Sequence, residues 1–112
     1  MLKRPLPGIV FVLLAATPAC LAGQTRPEPT GFAALADVDH LPTWSEPVRV
    51  QYSIFLATLS PRAFALSPDG VYWAWQSGNE NAMRGALQRC DQRASQACQL
   101  YAVDDDVVWP GK

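Results

Sequence analysis

Ala63-Phe64-Ala65-Leu66-Ser67-Pro68-Asp69-Gly70-Val71-Tyr72-Trp73-Ala74-Trp75-Gln76 lies past the midpoint of a 112-residue chain. Two short apolar and aromatic runs flank Pro68-Asp69-Gly70, where proline and glycine stand as a tight turn requires, so the stretch reads as a β-hairpin. Alternate side chains of a strand share a face: Val71, Trp73 and Trp75 point one way, Tyr72, Ala74 and Gln76 the other. The first set is more apolar and is expected to face the core.

Ser77-Gly78-Asn79 stops the second strand and offers helix caps. A helix is expected from about Glu80 to Ala94, because Met83, Ala86, Leu87, Cys90 and Ala94 recur near the 3.6-residue period. A strand Gln99–Val103, a turn at Asp104-Asp105-Asp106 and a strand Val107–Trp109 follow, and Pro110-Gly111-Lys112 ends the chain. Upstream, Ser45-Glu46-Pro47 reads as a helix start, with an N-cap, an acidic first turn and a proline where a missing N–H does no harm. Val48, Tyr52, Phe55, Leu56 and Leu59 fall on one face of that helix, which must end before Pro61. Val50, Tyr52 and Ile54 also alternate as in a strand, the competing reading. The order helix, hairpin, helix, hairpin predicts an α+β fold, a small antiparallel sheet of about four strands with helices packed on one face and a single disulfide.

The first 22 residues read as a secretory signal peptide: Lys3-Arg4, then the apolar run Ile9 to Ala16, then Cys20-Leu21-Ala22 before a cleavage point at Gly23. The run is short of the roughly 20 residues a membrane helix needs, so no stable span is expected after cleavage. A lipid anchor on Cys20 is the rival reading, weakened because Thr17-Pro18-Ala19 lacks the aliphatic residue expected three before the cysteine. Residues 23–42, rich in proline and glycine at the start, read as a flexible lead with a short turn of helix at 32–36, and the domain proper as 43–112.

The nine basic and ten acidic residues become seven and ten once Lys3 and Arg4 leave, a formal charge of −3. No basic stripe remains for phosphate contacts, which argues against nucleic acid. Cys90 and Cys98 remain in an exported chain, where disulfides persist, and are expected to pair. Their loop of about nine residues contributes roughly 2.5 kcal/mol in the chain-entropy picture.

Phe64 to Gly70, Tyr72 to Trp75, the Ala86-Leu87-Gln88-Arg89-Cys90 helix and the strand opened by Cys98 together resemble a family of small exported bacterial domains of unknown function. The resemblance implies export, the cysteine bridge and a mixed α/β domain, and it carries no activity.

The sole histidine, His40, sits in Asp37-Val38-Asp39-His40, ahead of the domain, where a solvated loop is the expected role. No nucleophile elbow, phosphate loop or paired-cysteine motif is present. Asp104, Asp105 and Asp106 are the one weak candidate for a metal, since calcium takes oxygen ligands, but consecutive strand residues diverge and a polar hairpin tip is the simpler reading. Arg84, Arg89 and Arg93 read as a solvated helix face. Tyr72, Trp73, Trp75, Tyr101 and Trp109 are expected in the core, or else on an open sheet face as a platform for sugar rings or a partner's side chains. No catalytic residue and no cofactor is assigned. The expected role is a secreted or periplasmic non-catalytic module binding a protein or envelope component. The alternatives are a periplasmic inhibitor or immunity-type protein, or a carbohydrate or peptidoglycan binder using the aromatic sheet face.

Overall fold

The computed structural model describes residues 25–111, so the expected signal peptide, its cleavage point and Cys20 lie outside the described residues. The elements are a 3-10 helix Val38–His40, α1 Glu46–Leu56, β1 Arg62–Leu66, β2 Trp73–Ser77, α2 Ala82–Ala94, β3 Gln99–Val103 and β4 Asp106–Val107. The strands form one antiparallel sheet in the order β2-β1-β3-β4. This is the expected α+β class, with a Cys90–Cys98 disulfide whose Cα atoms are 6.0 Å apart.

The hairpin turns where Pro68-Asp69-Gly70 placed it. The Gly70 N–H donates to the Ser67 carbonyl at 2.9 Å, and the Ser67 N–H donates to the Tyr72 carbonyl at 2.9 Å. Ser67 Oγ donates to Asp69 and accepts from the Tyr72 N–H. These side-chain bonds lengthen the loop, so β2 starts at Trp73 and leaves Val71 and Tyr72 exposed. Ser45 caps α1 by accepting from the Val48 N–H. The helix stops at Leu56, and Leu59 is 80% exposed rather than continuing its inner face.

Contrary to the one-sided packing expected from sequence, the helices cover opposite faces of the sheet. Phe64, Leu66 and Tyr101 pack with Val48, Tyr52 and Phe55 of α1. Ala63, Ala65 and Ala74 pack with Ala82, Ala86 and Cys90 of α2. All five residues of β1 are buried, as a central strand covered on both sides requires. The alanines are the reason: their small side chains form a second apolar face that a helix of small residues approaches closely. In β3 the register shifts opposite Phe64/Ala65, and both Tyr101 and Ala102 join the aromatic core, as a β-bulge allows.

The flexible lead is also corrected over 25–42, which is packed on the domain. The Thr30 N–H donates to the Val107 carbonyl at 3.1 Å, and Thr30 Oγ1 to the Trp109 carbonyl at 2.7 Å. Phe32 meets Tyr101 edge-on at 6.2 Å, Tyr52 donates its hydroxyl to the Leu35 carbonyl, and Leu41 is buried. The helical turn falls at Val38–His40, not at 32–36. Prolines forbid regular structure here, yet an extended strap needs none: its few polar bonds and apolar anchors come from elements distant in sequence.

Candidate functional site

The aromatic residues expected to form a core or a platform form a core. Tyr101 and Trp109 are buried, Trp73 and Trp75 are half-buried against α1, and of the five only Tyr72 is exposed, at 41%. Trp75 Nε1 donates to Gln51 of α1 at 3.0 Å. Arg93 donates to the Trp73 carbonyl at 2.8 Å with its guanidinium 4.9 Å from the Trp73 ring, so it does more than solvate its helix; Arg84 and Arg89 are exposed as expected. Helices and strap cover both faces of the sheet, so among the described residues these aromatics form no open platform.

The three aspartates are taken up by arginines rather than directed to a common point. Arg26 of the strap pairs with Asp104 and, at 3.1 Å, with Asp106. Asp104 Oδ1 accepts the Arg62 N–H at 3.0 Å, and Asp105 accepts from Arg62 Nη2 at 3.2 Å. Partial burial pushes the Asp104 carboxyl up. The bonds from Arg62 and Ser60 and the Arg26 charge outweigh this and hold it below the ordinary carboxylate range. Among the described residues no group of three or more His, Cys, Asp or Glu is placed to hold a metal ion. His40 is exposed and paired with Asp37.

Arg62 was not singled out in the sequence, and among the described residues it joins three separate parts of the domain. It is 6% exposed at the start of β1, and its Nη1 faces the carbonyls of Phe55, Leu56 and Thr58 at 3.0, 3.1 and 2.6 Å. It thereby supplies donors and positive charge at the C-terminal end of α1, where carbonyls lack helical partners. Nε donates to the Asp104 carbonyl at 3.1 Å, so one side chain joins α1, β1 and the aspartate turn.

The candidate site lies on the outer side of α1 and was missed by reasoning from sequence. Trp44 is 97% exposed. Its neighbours are held: Thr43 is buried, donates its hydroxyl to the Gly70 carbonyl and accepts the Ser45 N–H at 2.9 Å, while Ser45 caps the helix. The indole is thus presented from a backbone anchored on both sides. One and two turns into α1, Val50 and Ile54 are 48% and 46% exposed. A depression of about 320 Å³ lined by Leu41, Pro42, Thr43, Trp44 and Arg49 meets, at Arg49, a second of about 270 Å³ lined by Asp39, Glu46, Val50 and Ser53 among others. Arg49 Nη2 donates to the Thr43 carbonyl at 3.2 Å, bracing the loop that carries Trp44.

A sequence signal for Trp44 did exist. It occupies the position before the N-cap, where an apolar residue ordinarily packs against the fourth helical residue as a hydrophobic staple. That residue is Arg49, which offers no apolar partner, so the tryptophan is left outward. No protein-family model, curated protein or solved structure matches the chain.

Proposed function

We propose that this protein is an exported, non-catalytic binding module that docks a partner protein on the outer side of α1, with Trp44 as the anchor. The observation that carries the reading is a tryptophan 97% exposed on a backbone pinned by Thr43 and Ser45. Tryptophan is enriched among residues that dominate binding energy, and a pre-ordered backbone lowers the entropy lost on docking. Val50 and Ile54 extend the apolar surface along the helix. Export is supported by the N-terminal charge and apolar pattern and by the disulfide, which suits an oxidising compartment. Membership of the exported family that the motifs resemble belongs to the same proposal. The inhibitor or immunity-type role is one form that docking can take.

Affinity capture from the producing cell's envelope, with wild type and Trp44→Ala compared by quantitative mass spectrometry, tests the reading. A protein retained by wild type and lost from a folded Trp44→Ala variant is the expected result. Identical retained sets would contradict it.

A further inference from the structure

The docking reading leaves the partner's chemistry open, and the surroundings of Trp44 narrow it. We infer that the surface takes a basic amphipathic segment of a partner protein, one that sets apolar side chains against Trp44, Val50 and Ile54 and lysine or arginine against Asp39 and Glu46. This rests on the docking reading above.

Charge complementarity beside exposed apolar side chains carries the inference. Asp39 and Glu46 are exposed, line the same depression as Val50, and make no ion pair among the described residues. Arg49, the sole basic residue of α1, lines that depression too: its Nη2 donates to the Thr43 carbonyl, and it makes no ion pair among the described residues, so two carboxylates stand against one guanidinium. His40 beside Asp39 is held by Asp37. The depression beside Val50 therefore carries a net negative charge, with two unpaired carboxylates against the one guanidinium of Arg49. An acidic segment or an anionic membrane surface would meet like charge there, and a basic one is drawn in. Val50 and Ile54 stand one helical turn apart on α1, so an apolar helix face is their natural complement, with Trp44 ahead of the helix start as a further contact.

Two synthetic helical peptides with the same leucine stripe, one flanked by lysines and one by glutamates, serve as probes against the full exported chain in fluorescence anisotropy. The lysine peptide is expected to bind about tenfold or more tighter than the glutamate peptide. The gap should collapse at high salt and in Asp39→Asn/Glu46→Gln. Trp44→Ala should lose both. Equal, Trp44-dependent binding of both peptides would overturn the charge inference and leave the docking reading standing. Absence of binding, or binding indifferent to Trp44, would overturn both. Trp44-dependent binding to phosphatidylglycerol vesicles without peptide binding would also overturn both, and would assign the surface to lipid. Thermal midpoints near wild type for each variant separate these outcomes from unfolding.

Discussion

Under α1 the sheet presents Phe64, Leu66, Trp73, Trp75 and Tyr101, whereas under α2 it presents Ala63, Ala65 and Ala74. On the first face rings hold the layers together: Tyr52 meets Phe64 and Tyr101 edge-on at 5.1 and 5.3 Å and stacks with Phe55 at 5.7 Å. On the second, small side chains let the helix come close, and Gly85 sits where a Cβ would run into the Gln76 side chain. Alanines bury little apolar area per residue. The disulfide lies on that alanine side, joining α2 to the start of β3. One face is therefore held mainly by ring burial, the other by close approach and a covalent tie.

That contrast orders the expected effects. Phe64→Ala, which opens the middle of the ring cluster, should cost about 3–5 kcal/mol in denaturant unfolding. A cost near 1 kcal/mol would mean that the aromatic face is not the main store of stability. Reduction of the disulfide, or Cys98→Ser, should cost about 2–3 kcal/mol. Hydrogen exchange should then rise first in α2, not α1; equal midpoints with and without reductant would contradict the covalent role on the alanine side.

The two buried tyrosines give a smaller and sharper test within the aromatic face. The Tyr52 hydroxyl donates to the Leu35 carbonyl and so ties the strap to α1, while the Tyr101 hydroxyl is buried without a hydrogen bond among the described residues. Burial, with a lesser contribution from Asp37, pushes the Tyr101 phenol up to about 12. Tyr52→Phe should lose about 1 kcal/mol and loosen the strap, whereas Tyr101→Phe should be neutral or stabilising. Equal losses from both would contradict the distinction. Smallest is a pH effect at the strap. The Asp104 carboxyl lies below its ordinary range, so its contribution is present above the unfolded value of about 3.9 and is lost as pH falls through the lower folded value. Wild type should lose more stability than Asp104→Asn between about pH 5 and pH 3; parallel curves would remove Asp104 from the account.

The hairpin, the α1 cap and the disulfide were legible in the sequence because each is set by residues a few positions apart. The side on which α2 packs was not, since the helical period marks a buried face without saying which sheet face it meets, and alternating alanines look neutral. The strap was illegible for a different reason: Arg26 finds Asp104 and Asp106 across 78 and 80 residues, a pairing that no local pattern announces. Arg62 was hidden because a charged residue at a strand start reads as solvent-facing until the carbonyls of α1 are placed around it. Trp44 shows the same limit from the opposite side. Its exposure follows from a staple position facing Arg49, a pairing that is visible in the sequence once the helix start is known.

The difference between the helices extends to their outer surfaces, since α1 exposes Val50 and Ile54 and follows directly on the exposed Trp44, while α2 turns Arg84, Gln88 and Arg89 to solvent. A photo-crosslinking amino acid placed in turn at positions 44, 54 and 88 of the chain in its producing cell compares them directly. Docking through α1 predicts one discrete protein adduct from positions 44 and 54 and none from 88. Adducts of equal yield at all three positions, or an adduct confined to 88, would contradict it.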